Sequence, residues 1–128
     1  MMKTITTDRA PAAVGAYSQG VLTKDTLYVS GQIPFEPVSM TLAGPDIATQ
    51  TRQALDNILA IVEAAGLKKT DIVRCGIFMT HLADFDVMNQ VYADFFGSHR
   101  PARAAVEVRG LPKNVQIEID AIAVKPSP

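Results

Sequence analysis

The 128-residue chain has no tryptophan and only one cysteine, Cys75. A single thiol cannot form an internal disulfide, so a hydrophobic core has to hold the fold together. The N-terminal segment also lacks the long apolar run of a secretory signal peptide. Both absences favour the reducing cytoplasm as the location of the protein.

An excess of charge of either sign is also missing. The 12 Lys and Arg residues against 13 Asp and Glu residues leave a net charge of −1. Such a chain provides no broad positive field for nucleic acid or an anionic membrane. No apolar run approaches the roughly 18 to 20 residues of a membrane span. We therefore expect no nucleic-acid partner and no membrane, and a small-molecule ligand is favoured.

The common cofactor and metal motifs are absent as well, including GxGxxG, the P-loop, HExxH, paired CxxC and GxSxG. His81 and His99 have no cysteine or carboxylate at the spacing of metal ligands, so neither is predicted to bind a metal. Cys75 lies in an apolar segment and is expected to be a small buried core residue. The sequence predicts neither a cofactor nor a metal site.

A hydrophobic content of 48 % in 128 residues is enough for one core, and no linker or repeat divides the chain. We therefore predict a single domain over residues 1–128. Apolar periodicity and turn residues predict a hairpin over 17–33, helices over 46–65 and 84–96, and strands over 71–81, 102–109 and 115–124.

Details of these elements can also be predicted. Asp46 is a candidate N-cap, and Gly66 and Gly97 are candidate helix ends. Ser30-Gly31 interrupts a strand, as expected for a bulge or for a close approach of a ligand. In strand 71–81, the residues expected to share one apolar face are Val73, Cys75, Ile77 and Met79.

The last strand has one apolar face and one mixed face. Val115, Ile117, Ile119 and Ala121 form the first, whereas the second combines Gln116, Glu118 and Asp120 with Ile122 and Val124. One helical layer covers only one face of a sheet. The mixed face therefore favours coverage by another subunit.

Arg103 is the candidate anchor for a carboxylate. Ala104, Val106 and Val108 are predicted to face the core, which turns Arg103 towards a polar cleft, with room for a ligand beside the small Ala105. The planar guanidinium matches a carboxylate, and Glu118 is expected nearby. A surface ion pair of Arg103 with Glu107 or Glu118 is the alternative, and spacing does not decide between them.

Several short segments occur in a characteristic order: Gly15-Ala16-Tyr17-Ser18-Gln19-Gly20, Ser30-Gly31-Gln32-Ile33-Pro34, Asp56-Asn57-Ile58, Ala64-Ala65-Gly66-Leu67, Pro101-Ala102-Arg103, Val106-Glu107-Val108, Leu111-Pro112-Lys113 and Ile117-Glu118-Ile119-Asp120-Ala121-Ile122-Ala123-Val124. Together, from about Ala10 to Val124, they resemble the Rid family, also called the YjgF family, of reactive-intermediate deaminases. Each segment alone is weak evidence for the family, but the ordered set is specific to it.

The resemblance implies an α+β, chorismate-mutase-like fold with a mixed sheet and two helices on one face. It also implies a homotrimer with a central β-barrel and ligand clefts between subunits. The implied reaction is hydrolysis of 2-imino acids, such as 2-iminopropanoate and 2-iminobutanoate, to 2-oxo acids and ammonia without a cofactor. Pyridoxal-phosphate dehydratases release these imines and their enamine tautomers.

Site residues follow from the resemblance position by position. Arg103 matches the arginine that binds the substrate carboxylate, and Glu118 matches the acidic residue that holds or activates water. Tyr17 is implied as a further catalytic residue from a neighbouring subunit. The positions implied to line the substrate cleft are Ser30, Gly31, Asn89 and Ala105.

The chain departs from the family pattern at a few places. Ala105 stands where many members have cysteine, so only its backbone can contribute, and Ala16 replaces a usual proline. Segment 97–101 is shorter than in many relatives and segment 35–45 is slightly longer, which bears on substrate choice. The alternative functions are a non-catalytic sensor of small 2-oxo acids, an RNA-directed activity, which the neutral charge disfavours, and protection of other proteins as a holdase.

Overall fold

The computed structural model describes residues 2–127, so the predicted domain of residues 1–128 includes one residue at each end that lies outside the described part. In chain order the helices and strands are β1 (Met2–Ile5), β2 (Gly20–Thr23), β3 (Thr26–Gln32), α1 (Ile47–Ala64), β4 (Ile72–Met79), α2 (Phe85–Phe96), β5 (Ala102–Glu107) and β6 (Ile117–Val124). The predicted helices, hairpin and strands are all confirmed. The sequence prediction missed β1, in which only Ile5 is buried, so that it has no apolar alternation.

All six strands form one mixed sheet in the order β1-β2-β3-β6-β4-β5. Neighbouring strands are antiparallel except β4 and β5, which are parallel and are connected through α2. A parallel pair needs such a crossover, because a short turn can only join antiparallel strands. Within residues 2–127, β5 lies at one edge of the sheet and pairs with β4 alone.

Both helices pack on the same face of the sheet, as predicted. Their buried side chains, including Leu55, Ile58 and Met88, form one core cluster with Ile117 and Ile119 of β6. This burial of apolar surface is the main stabilising contribution to the fold.

The predicted helix ends are confirmed. The backbone N–H of Thr49 donates to the Asp46 carboxylate at 3.0 Å, which satisfies one of the free amides at the start of α1. Gly66 and Gly97 follow the two helices with φ angles of 84° and 64°, a region that favours glycine. Among residues 2–127, no helix is long and apolar enough to cross a membrane.

One predicted face of β4 needs correction. Cys75, Ile77 and Met79 are buried as predicted, but Val73 is exposed and Ile72 is buried in its place. The pairing of β4 with β6 shifts register between Ile72 and Arg74, which reverses the alternation at that point.

The face of the sheet opposite the helices, here called the open face, combines charged and apolar side chains. Tyr28 pairs with Ile122, and Phe78 pairs with both Glu118 and Val106, so their side chains share this face. Tyr28 and Val106 are 50 % and 45 % exposed. The mixed second face predicted for the last strand is therefore confirmed, and no element among residues 2–127 packs over it in the way the helices cover the first face.

Candidate active site

A cavity of about 780 Å³ lies at the end of the open face. Its lining includes four of the predicted site residues, namely Tyr17, Ser30, Gly31 and Glu118. The remaining lining residues are Pro11, Ala12, Val14, Gln32, Ile33, Phe35, Met40, Pro112 and Lys113. The structure thus brings together these four predicted residues.

The predicted bulge at Ser30-Gly31 is confirmed and shapes this cavity. The pairing of β3 with β6 shifts register between Val29 and Gln32. Gly31 faces Glu118 so closely that a Cβ atom at this position would collide with the Glu118 carboxylate. A side chain at this position would displace the Glu118 carboxylate, so the glycine leaves that carboxylate in its place beside the strand.

Buried polar side chains hold the segment that carries Tyr17. The Gln19 side chain accepts from the Thr7 backbone N–H at 2.7 Å and donates to the Pro11 carbonyl at 2.8 Å. Ser30 donates its hydroxyl to the Ser18 carbonyl at 2.6 Å. Tyr17 itself is 51 % exposed at the cavity, where it can contact a ligand or a second chain.

Glu118 has an environment that favours its protonated form. Partial burial, followed by the nearby negative charge of Asp120, raises the pKa of Glu118 above its ordinary value. Asp120 accepts a hydrogen bond from the Gly76 backbone at 2.9 Å and lies 4.0 Å from the Arg74 guanidinium. The raised pKa makes Glu118 a stronger proton acceptor than an ordinary glutamate, and its conjugate acid can return the proton.

The second group of predicted residues surrounds Arg103. Its guanidinium donates to the Asn89 side-chain oxygen at 2.8 Å. The same guanidinium lies 5.4 Å from the centre of the Phe85 ring and 4.9 Å from that of Tyr92. Cation–π attraction and one hydrogen bond thus orient Arg103, and its other N–H groups remain able to bind an anion.

The orientation of β5 predicted from sequence was wrong. Arg103 pairs with Cys75 on the helix-bearing face, and the partly buried Ala105 packs against the core, whereas Ala104 and Val106 are exposed. The sequence of β5 places small or apolar side chains on both of its faces, so its alternation does not identify the side that faces the core. Ala105 and Asn89 therefore lie with Arg103 and not with the cavity.

Arg103 and Glu118 consequently lie on opposite faces of the sheet, so the expected proximity of Glu118 to Arg103 is not found within one chain. The alternative ion pair is not formed either, since Arg103 makes no ion pair among residues 2–127. Glu107 instead accepts a hydrogen bond from the Leu82 backbone at 2.9 Å.

Other residues considered from sequence have structural roles. Cys75 is buried, and burial raises the pKa of its thiol to about 11, so it is a core residue as predicted. The His99 ring is 2.7 Å from the Ile72 carbonyl. The described residues contain no cluster of side chains that could hold a metal ion.

Several residues of the cavity and of the Arg103 group were not predicted from the sequence. Phe85 and Tyr92 beside Arg103 lie four residues before and three after Asn89, so helical spacing could have placed all three on one face of α2. Phe35 and Met40 in the cavity carry no comparable sequence signal, because they lie in an irregular loop.

The comparison with known proteins decides the family. A family model described as Endoribonuclease L-PSP matches residues 7–125. The chain belongs to this family. The Rid or YjgF resemblance stated from the sequence is thereby confirmed.

Rid-family relatives match over nearly the whole chain. The 2-iminobutanoate/2-iminopropanoate deaminase of Escherichia coli K12 is 52 % identical and covers 98 % of this chain and 99 % of its own. The protein of the same name from Rattus norvegicus is 46 % identical, with 96 % and 90 % covered.

Solved structures agree with this assignment. The YjgF gene product of E. coli has a TM-score of 0.94 at 51 % identity, covering 97 % of this chain and 99 % of its own. E. coli TdcF with bound serine has the same TM-score and coverage at 45 % identity.

Proposed function

We propose that this protein hydrolyses 2-imino acids to 2-oxo acids and ammonia. The observation that carries the proposal is the pair of complementary half-sites: an oriented guanidinium at Arg103 and a cavity containing Glu118 with a raised pKa. The names of relatives at 46 % to 52 % identity over nearly the whole chain support the same reaction.

A complete site needs two chains, because Arg103 and Glu118 lie on opposite faces of one sheet. We propose a homotrimer in which the open faces form a central β-barrel, as the family resemblance implies. Each cleft then combines Arg103, Asn89 and the backbone of Ala105 from one chain with Tyr17 and Glu118 from its neighbour. The mixed character of the open face supports this arrangement.

Arg103 would bind the substrate carboxylate through its free N–H groups and fix the adjacent imine carbon. The serine in TdcF is a carboxylate-bearing molecule of similar size, which supports such a ligand. Holding the reacting carbon in place removes part of the entropic cost of reaction. Tyr17, Ser30 and Gly31 would line the other side of the bound imine.

Glu118 would move the protons. The oxygen of water attacks the carbon of the C=N bond while Glu118 accepts one proton from water and passes it to nitrogen, forming a carbinolamine. The carbinolamine hydroxyl then gives its proton through Glu118 to nitrogen, the C–N bond breaks, and ammonia leaves the 2-oxo acid. Atoms and charge balance without electron transfer, and a side chain whose pKa lies closer to neutrality suits both transfers.

The source of the substrate follows from its chemistry. Imines and enamines of this kind arise when pyridoxal-phosphate dehydratases eliminate a group from an amino acid, and we propose such enzymes as functional partners. Cytoplasmic location, expected from the single cysteine, stays a prediction.

Arg103→Ala tests the proposal. With freshly generated 2-iminopropanoate, we expect kcat/KM for release of 2-oxo acid to fall by about 100-fold, because the substrate loses its orientation. Arg103→Lys should give an intermediate rate, since lysine keeps the charge but lacks the planar fork. Arg52→Ala removes an exposed arginine on α1 and should leave the rate unchanged.

An Arg103→Ala protein as fast as the wild type contradicts the assignment. The sensor alternative predicts a different result for the wild type: saturable binding of 2-oxo acids with no acceleration of imine decay above the rate in buffer.

A further inference from the structure

The lining of the cavity is more apolar than the proposed reaction requires. Besides the groups assigned to the chemistry, it presents Val14, Ile33, Phe35 and Met40. None of these side chains can move a proton or bind a carboxylate. In a single chain the cavity has a volume of about 780 Å³, which leaves room for more than the methyl group of 2-iminopropanoate when a neighbouring chain contributes to the cleft.

The loop that supplies Phe35 and Met40 is held in place from within. Phe35 and Leu42 form an isolated β-bridge, and the Glu36 backbone donates to the Thr41 carbonyl at 2.8 Å. The Ala43 backbone donates to the Pro34 carbonyl at 3.0 Å. These bonds make the segment a small closed hairpin.

Helix α1 also holds this loop in place through hydrogen bonds. Asn57 is completely buried, and its side-chain nitrogen donates to the carbonyls of Ile33 and Phe35 at 3.1 and 3.0 Å. A buried amide bonded to two loop carbonyls fixes the backbone on which the apolar side chains stand. The apolar wall is therefore preformed.

Met40 has a backbone conformation that normally favours glycine, with a φ angle of 57°. A side chain in this region costs of order 1–3 kcal/mol. The chain nevertheless carries a long, adaptable apolar side chain here, and that side chain lines the cavity. The strain is consistent with a role for the side chain itself.

We infer that this wall, formed by Val14, Ile33, Phe35 and Met40, binds the side chain of the substrate. The protein then prefers 2-imino acids with medium or large apolar side chains, such as those derived from leucine, methionine or phenylalanine, over the alanine-derived imine. This inference rests on the proposed function, and it assigns Phe35 and Met40 as specificity-determining residues.

The test compares imines generated in the assay by an amino-acid oxidase with catalase, from alanine, leucine, methionine and phenylalanine. We expect wild-type kcat/KM to be at least about tenfold higher for the leucine-derived imine than for the alanine-derived one, because each buried methylene adds to binding. Equal values, or a preference for the alanine-derived imine, overturn the inference while leaving the proposed function in place. Acceleration of none of the four imines refutes the proposed function itself.

Two variants test whether Phe35 and Met40 cause the preference for larger apolar side chains. Met40→Gly relieves the left-handed backbone and so preserves folding, and Phe35→Ala shortens the other wall residue. Each should lower the leucine-to-alanine ratio of kcat/KM several-fold, because the loss of wall contacts falls mainly on the imine with the larger side chain. Val38→Ala is the control, because Val38 lies in the same loop, is 95 % exposed and does not line the cavity. A proportional loss with all four imines would contradict the assignment, since it would indicate general damage to the site.

Discussion

At the scale of single residues, the surroundings of Arg103 explain how an exposed side chain can be well oriented. Arginine has many rotamers, and fixing them in the absence of a ligand reduces the entropic cost of binding. Phe85, Asn89 and Tyr92 of α2 supply this constraint through two rings and one hydrogen bond.

Phe85→Leu should weaken binding of the substrate carboxylate. Removal of one ring costs about 0.5–2 kcal/mol of cation–π attraction, so we expect KM to rise about 2- to 30-fold with a smaller change in kcat. Steady-state kinetics with the preferred imine measure both constants. Val87→Ala, an exposed position on the same helix, should leave KM unchanged. If the Phe85 variant keeps the wild-type KM, the rings do not position Arg103.

Glu118 gives a prediction about pH. It acts in our mechanism as an ionised base at first, so kcat/KM falls as the pH drops through its pKa. Burial and Asp120 raise that pKa, which places this acid limb at a higher pH than for an ordinary glutamate. Asp120→Asn keeps an oxygen for the Gly76 amide but removes the charge, so the limb should move to lower pH.

The pH profile of kcat/KM checks this shift, and Glu118→Gln serves as the control because it removes the limb together with most of the rate. An unchanged profile in Asp120→Asn would show that Asp120 does not tune Glu118. For stability the sign is opposite to that of a salt-bridged carboxylate: a raised pKa in the folded state contributes stability that is fully present below the unfolded pKa and is lost as pH rises through the folded pKa.

At the scale of elements, α1 serves the site through its buried polar side chains. Gln50 accepts from the Gln116 backbone at 2.8 Å and donates to the Gly44 carbonyl at 3.0 Å. Asn57 donates to the Ile33 carbonyl at the start of the loop between β3 and α1. The helix thereby fixes both ends of the loop that follows β3.

Asn57→Ala should therefore destabilise the protein by about 1–3 kcal/mol, because the carbonyls of Ile33 and Phe35 lose a buried partner. Urea unfolding measures the change. Asp56→Ala, next in the chain and paired only with Arg52 at the surface, should cost less than about 0.5 kcal/mol. Equal effects of the two substitutions would contradict a bracing role for Asn57.

At the scale of the whole molecule, the open face is the surface on which the proposed homotrimer would form. It carries apolar side chains that a monomer leaves partly exposed, together with the acidic pair Glu118 and Asp120. Association would bury the apolar part and bring Glu118 of one chain towards Arg103 of another, so assembly and activity should be lost together.

Ile122→Arg places a charge in the middle of this face and should dissociate the oligomer, because an unpaired charge is costly to bury. Light scattering coupled to gel filtration should give three copies of the 13.8 kDa chain for the wild type and one for the variant, with activity lost in parallel. Val38→Arg, at an exposed loop position, should keep the wild-type mass. A monomeric wild-type protein, or an Ile122→Arg trimer with full activity, would refute the shared site.

Sequence patterns were sufficient to predict the two helices, the hairpin, the bulge at Ser30-Gly31 and the family. These depend on local signals: apolar periodicity, the Asp46 cap, glycines at helix ends and an ordered set of short motifs. Such local signals can be recognised in the sequence alone, because each arises from residues within a few positions of one another.

The direction of the Arg103 side chain and the grouping of the site residues depend on tertiary contacts. In the Ala-rich edge strand β5 the alternation of side chains has no apolar contrast, so the register with β4 and the packing of α2 set its orientation. Likewise, Phe35 and Met40 reach the cavity because Asn57, more than fifteen residues later in the chain, holds their loop. Contacts between distant segments determine these placements, and no local pattern encodes them.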